Sequence, residues 1–267
     1  MRFQTGAWGM VALALVLARR PFPRLALILL GLLLFTGFAG FPWPFFILIM
    51  ALLAWCIGGP ALAFLTGLAL LGIAACGLWL SAMFSLYLCF AAIATSIVIG
   101  GALGILAASN DYVSKAMRPV SDFLQTIPPF VILIPILMFF QIGDFAGFLS
   151  IVAYSLVPMI RYTEEGLRRV PLDKLEVGHM AGCAPRQLLW LIKIPSAMPQ
   201  ILLGVNQTCM FALAMLSVAA LVGSRGLGQD VYVALSSASA GNGLLAGSAI
   251  AFLAIIIDRI LRAAASR

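Results

Sequence analysis

The stretch LEVGHMAGCAPRQLLWLIKIP, Leu175 to Pro195, is polar and broken by glycine and proline inside a chain that is otherwise strongly apolar. It forms the second part of a polar loop, Arg161 to Pro195, with apolar runs on both sides. Connections between packed helices mostly run to about 2–8 residues, so a loop this long needs a reason. Pro171, with Asp173 two positions on, suits a helix start, and Gly182 suits its stop. In the second half Pro185 suits a first helical turn, Leu188, Leu189 and Ile192 fall on one face, and Pro195 is expected to end the helix. The pattern predicts two short helices joined at Gly182, a compact knob with an apolar side and a charged side. Such a surface suits docking.

Around this loop the composition is that of a membrane protein. Apolar residues make up 63% of the 267 positions and charged residues 9%, with a mean hydropathy of +1.13. Soluble domains sit near roughly 45–50% and about 25%. No Asp, Glu, Lys or Arg occurs from Leu25 to Asn110. Since about 20 apolar residues cross one bilayer, that run holds about four spans, with breaks expected near FPWP (Phe41 to Pro44), GGP (Gly58 to Pro60) and Ser81. Further spans are expected at about Thr126–Ile142, Ala146–Ile160, Met198–Val222 and Leu244–Ile257. The fold class is therefore an all-α polytopic membrane protein of about eight transmembrane helices. Ala7–Ala18 is short for a crossing, and a ninth span, an interfacial helix and a signal-like start all remain open for it.

Lys and Arg near helix ends are retained on the cytoplasmic side. Placing Arg19, Arg20 and Arg24 inside and alternating through eight spans puts all sixteen basic residues except Arg2 and Arg225 on that side. The C-terminus and the 161–195 loop then face the cytoplasm. A net charge of +7 is thus a topology signal and not a nucleic-acid surface.

Several chemistries are excluded or disfavoured by the residues. Cys56, Cys76, Cys89, Cys183 and Cys209 form no CxxC pair and read as small buried hydrophobes. A single histidine with these partners makes no metal site, and none of Lys115, Lys174 and Lys193 ends a GxxxxGK loop, so ATP hydrolysis needs a separate subunit. An ion-gradient carrier would need an intramembrane acidic or histidine site. The acidic candidates, Asp144, Asp230 and Asp258, lie at the edges of loops. Trp8, Trp43, Trp55, Trp79 and Trp190 are scattered and do not make the aromatic cage that holds a quaternary ammonium ion, so high-affinity selection is expected in another protein.

The loop resembles the cytoplasmic signature of bacterial ABC importer permeases: E-A-A, three residues, G, nine residues, I, one residue, L-P. Glu176, Val177 and Gly178 stand for E-A-A, Gly182 follows after three residues, Ile192 after nine more, and Ile194-Pro195 stands for L-P. The departures are Val177, Gly178 and Ile194. LQTIPPFVILIPILMFFQIG (124–143), APRQLL (184–189), IPSAMPQILLGVNQT (194–208) and GLGQDV (226–231) resemble the permease subunit of glycine betaine, proline betaine and choline importers, over about Ala82 to Leu261.

The resemblance implies a five-helix type I importer core at 82–261, after N-terminal helices at 1–81 and before a tail at 262–267. It implies two permease chains as a homodimer in the bacterial inner membrane, two cytosolic ATPase subunits carrying ATP and magnesium, and an extracytoplasmic binding protein; no cofactor is expected on this chain. Coupling to the ATPase would fall on Glu176, Gly182, Ala184, Pro185, Arg186, Ile192 and Pro195. An importer of another small solute is the nearest alternative, and an ion-gradient carrier a more distant one.

Further candidates follow from the spans. Asn206 and Gln207 fall mid-span, where they line a pathway or bond to neighbouring helices. Pro128, Pro129 and Pro135 suit a kinked, pathway-lining helix, with a static kink as the alternative. Gly100 and Gly104 suit close helix packing. GSRGLGQD (223–230) suits a re-entrant turn or a flexible outer loop.

Overall fold

The computed structural model describes residues 43–265. Arg2, Arg19, Arg20, Arg24, Ala7–Ala18 and the first predicted span lie outside the described residues, as does Arg267.

Two apolar helices, α1 (Trp43–Gly58) and α2 (Pro60–Ala75), meet at Gly59, whose φ of 85° opens a tight turn before Pro60 in the first turn of α2. Then comes α3 (Trp79–Ser109), followed at Asn110 by α4 (Asp111–Thr126), where the Asn110 side chain accepts a hydrogen bond from the Tyr112 N–H at 2.9 Å. A double proline separates α4 from α5 (Pro129–Phe140), and the two helices are bent by 102°. The residue before a proline is driven out of the helical region, and here Ile127 (ψ 133°) and Pro128 (ψ 135°) both are. Beyond lie α6 (Asp144–Arg168), α7 (Leu172–Met180), α8 (Pro185–Val222), the short α9 (Leu227–Ser236) and α10 (Ala240–Ala265).

Among the described residues, four helices are long and apolar enough to cross a membrane: α3, α6, α8 and α10. The α4–α5 pair makes a fifth if it is counted as one broken span. The expected eight is not reached among the described residues. At 1.5 Å per residue the 16 residues of α1 or of α2 reach about 24 Å and the 12 of α5 about 18 Å, against a hydrocarbon core of about 30 Å. One break falls where the sequence placed it, at Gly59, and the one expected near Ser81 falls a few residues earlier, at Cys76–Leu78, with Ser81 in the first turn of α3. The expected Thr126–Ile142 span is the short α5, entered through a sharp bend from the amphipathic α4.

Helix α6 is the centre of the bundle, pressed between α3 and α8. Side chains as apolar as the lipid give helices little reason to associate, so close approach of backbones matters most. Gly100 and Gly104 of α3 lie against Met159 and Thr163 of α6; a methyl at Gly104 would sit 2.6 Å from the Thr163 Cβ. Ser96 and Ser155 share a buried hydroxyl hydrogen bond at 2.9 Å across the same seam. On the other side Gly166 meets Gln200, and Gly204 meets Tyr162. One apolar cluster joins α3, α5, α6 and α8, and a second joins α1 and α2 to α10 and the start of α3. Of the cysteines, Cys89 and Cys209 are buried as expected, whereas Cys56 and Cys76 are exposed on the surface of the apolar helices.

Candidate coupling site

At one end of the bundle the chain leaves α6, folds α7 across it and returns into α8. Helix α7 starts after Pro171 and ends in a paired turn: the Cys183 N–H donates to the Gly178 carbonyl at 3.1 Å and the Gly182 N–H to the His179 carbonyl at 3.0 Å. Gly182 holds φ 72°, the left-handed conformation that this helix stop requires and that a Cβ disfavours. Ala184 then caps the next helix; its N–H donates to the Gln187 Oε1 at 2.9 Å, and Pro185 occupies the first turn, where no N–H is needed.

Two expectations about this loop are corrected. Residues 161–168 are not loop but the last turns of α6, and Pro195 does not end the second helix. Leu188–Lys193 form a π-helical turn, and Ile194–Ala219 follow without a break, with Pro195 in the first turn of that segment. The wider turn before Pro195 relieves the demand for its missing N–H and the crowding of its ring on the preceding turn. The second arm of the knob is therefore the start of α8 itself, a single lever of 38 residues.

Leu188 is buried and Leu189 and Ile192 are half-buried, as their spacing predicted. Gly178, the single buried residue of α7, lets the two arms touch: a methyl there would overlap the ends of Ile192 and Leu188. The outward side is not simply charged. Leu172, Val177 and Met180 are exposed there, Met180 at 86%, beside exposed Glu176, Ala184, Pro185 and Arg186. Glu176 has no ion-pair partner among the described residues. Exposed apolar side chains rimmed by charges are a feature of protein–protein and membrane interaction sites. His179 is exposed, and its Nδ1 lies 2.8 Å from the Leu175 carbonyl, a local contact within its own helix.

Beneath the knob lies a charge lattice that sequence reading missed. Glu164 is buried on α6, accepts from the Ser114 hydroxyl at 2.5 Å, and lies 3.0 Å from the Arg168 Nε and 3.9 Å from Arg118. Arg168 also donates to Asp111 at 2.7 Å and to the Ala107 carbonyl at 2.8 Å, and Arg161 pairs with Asp122. The Arg168 hydrogen bond and charge hold the Asp111 carboxyl below its usual range. These contacts clamp amphipathic α4 onto the end of α6. The available signal was the i,i+4 spacing of Glu164 with Arg168; the basic residues had been read for topology alone.

The remaining candidates separate. Asn206 is buried and donates to the Asp258 carboxylate of α10 at 2.9 Å, which is a helix-to-helix bond. Gln207, next to it, lines a cavity between α6 and α8. Pro128 and Pro129 form the α4–α5 bend, with Pro128 exposed. At the opposite end of the bundle, GSRGLGQD is an ordered turn. Its Leu227 N–H donates to the Ser85 hydroxyl at 2.8 Å, its Arg225 N–H to Asp144 at 2.9 Å, and Gly228 lies directly on the Leu216 carbonyl.

Residues 100–267 match the family described as binding-protein-dependent transport system inner membrane component. The chain belongs to that family. It is 41% identical over 224 residues to the glycine betaine/proline betaine transport system permease protein ProW of Escherichia coli (strain K12), covering 84% of this chain and 63% of that protein. It is 37% identical over 225 residues to the glycine betaine transport system permease protein OpuAB of Bacillus subtilis (strain 168), covering 84% and 80%. Among solved structures, a chain of the inward-facing MetNI methionine ABC transporter is similar at a TM-score of 0.62 and 21% identity, covering 68% of this chain and 93% of that one. That likeness shows the fold. The transport component thus shares its helical core with an ABC transporter of known structure, and it spans less than two thirds of the length of ProW.

Proposed function

We propose that this inner-membrane component is the permease subunit of an ATP-binding cassette importer, a transport subunit and not an enzyme, that moves a quaternary amine osmoprotectant such as glycine betaine, proline betaine or choline. The observation that carries the reading is the knob at the α6–α8 end, turned at Gly182, locked at Gly178 and presenting Glu176 beside Val177 and Met180. The family is described as binding-protein-dependent, and both betaine permeases are similar over most of this chain.

In this reading two copies form the pathway, each knob docks in one of two cytosolic ATPase subunits that bind ATP and magnesium, and an extracytoplasmic protein delivers the solute. Glu176, Ala184, Pro185 and Arg186 meet the ATPase; Gly182, Ile192 and Pro195 shape the arm that meets it. Because α8 runs unbroken from the knob through the bundle, force on the knob reaches the pathway without an intervening hinge. Pro128, Pro129 and Gln207 border that pathway. Counting α1, α2 and the α4–α5 pair as crossings, with one more before Trp43, gives eight spans with the knob and C-terminus in the cytoplasm.

Reconstitution tests this. ATP-dependent uptake of labelled glycine betaine should require this chain, an ATPase subunit and a binding protein together. Uptake by this chain alone under an ion gradient would support a secondary carrier instead.

A further inference from the structure

The cavity beside Gln207 has a volume of about 340 Å³ and is lined by Gln125, Arg161, Tyr162, Glu165, Gln207 and Phe211, with Pro158 at its back. At 1.5 Å per residue, Arg161 lies about 25 Å along α6 from Asp144, and Phe211 lies about 25 Å along α8 from Ile194, so the cavity reaches from the basic end into the middle of the bundle. Polar groups at such depth are costly unless they are paired or used. Arg161 and Glu165 have partners outside the cavity, Asp122 and Arg169. The Gln125 and Gln207 side chains have no hydrogen-bond partner among the described residues, although both are half-buried. Two amides with spare donors and acceptors therefore face the same space as one cation, one anion and two aromatic rings.

The rings are positioned. Phe211 packs on Tyr154 with centroids 5.2 Å apart and planes at 32°. Tyr162 is set by the close approach of its Cβ to Gly204, 2.7 Å from where a methyl would stand. A trimethylated ammonium has no N–H to donate, so it is held by aromatic faces and a nearby carboxylate. A carboxylate is held by a guanidinium and amide N–H groups. Opposite charges at one rim fit a molecule that carries both.

We propose that this cavity is a transit site for a zwitterion joining a quaternary ammonium to a carboxylate, with Tyr162, Phe211 and Glu165 taking the cationic end and Arg161, Gln125 and Gln207 the carboxylate. The volume is at the lower end of the roughly 300–1,000 Å³ of small-molecule sites, in keeping with a small solute held briefly. The proposal rests on the betaine-importer reading above.

The test is made on the importer reconstituted with its ATPase and binding protein, counting labelled glycine betaine moved per ATP hydrolysed. Phe211→Leu and Glu165→Gln should each lower that ratio at least fivefold, and Glu165→Gln should also widen the preference for glycine betaine over choline, because the net cation loses more with that carboxylate. A structural role would lower uptake and hydrolysis together and leave the ratio unchanged; that result, or an unchanged ratio with full activity, overturns the transit site. If the unaltered importer moves a different solute and not glycine betaine, the substrate reading fails, and the assigned ligand class fails with it. If the unaltered importer moves glycine betaine and the variants match it, the transit site alone fails.

Discussion

The two ends of the bundle differ in the contacts that predominate. At the basic end, charged side chains do the joining: Glu164, Arg168, Arg118 and Asp111 tie α4 to α6, and α7 is left exposing Val177 and Met180. At the other end glycine and backbone contacts do it: Gly226 fits against Ser81 and Ser85, Gly228 against the Leu216 carbonyl, and the Gly143 N–H donates to the Val222 carbonyl at 2.9 Å. Ion pairs near water are adjustable and individually weak. Backbone close approach tolerates no added atom. The difference suits an end that receives force and an end that holds helices in register.

The strongest way to break this contrast is steric. Gly228→Leu would place a side chain where a methyl already sits 2.5 Å from the Leu216 carbonyl, and should cost about 3 kcal/mol or more. Size-exclusion profiles in detergent after a heat ramp should show little monodisperse protein. A Gly228→Leu protein as heat-resistant as the parent would remove the steric account of that end.

At the basic end the comparison is sharpened by Glu164→Gln. It leaves Arg168 and Arg118 facing a neutral amide, and should cost about 2 kcal/mol, below the figure for a fully buried pair because both arginines are partly exposed. The same heat ramp reads the loss, and added salt should shrink the gap between variant and parent. Salt should leave the Gly228→Leu defect unchanged.

Gly182→Val should be milder for folding, since a left-handed L-residue costs about 1–2 kcal/mol, yet it should lower ATP-coupled uptake at least tenfold with normal membrane insertion. Gly178→Ala should be smaller still, under about 1.5 kcal/mol, because the overlap falls on the flexible ends of Ile192 and Leu188. Uptake kinetics beside an immunoblot of membranes separate these two.

The smallest effect concerns pH. Arg168 depresses the Asp111 pKa, so the stabilising pairing is complete above the ordinary carboxylate value of about 3.9 and is lost only as pH falls through the lower folded value. Limited proteolysis within α4 should be equal at pH 7 and pH 5.5 and rise only below about pH 4.

The knob was the most legible part of the sequence because its signals are local. Pro171, Gly182 and Pro185 act on the backbone within a few residues, and the structure uses each as read. Pro195 was misread because a π-helical turn ahead of it lets the helix continue through the proline, and proline spacing alone does not reveal such a turn. The eight expected spans are not all reached among the described residues, and hydropathy, which measures apolar length, gives no sign that Ile127–Pro128 turns the chain through 102° between amphipathic α4 and apolar α5. The Glu164 lattice shows locally only the i,i+4 pair of Glu164 with Arg168; its bond to Ser114 joins residues fifty positions apart, which no local pattern announces. Asn206 and Gln207 are neighbours in the chain with opposite fates, one bonded to Asp258 and the other facing a cavity. Only the packing of α6, α8 and α10 separates them.

The claim that the knob is the docking point is tested most directly by cross-linking. Single cysteines at Met180, in the knob, and at Leu235, at the glycine end, would be introduced into a protein otherwise free of cysteine and treated in membranes containing the assembled importer. Met180→Cys should cross-link to the ATPase subunit, with a yield that changes on adding ATP, and Leu235→Cys should not. Cross-linking of Leu235→Cys to the ATPase, with none from Met180→Cys, would contradict the account.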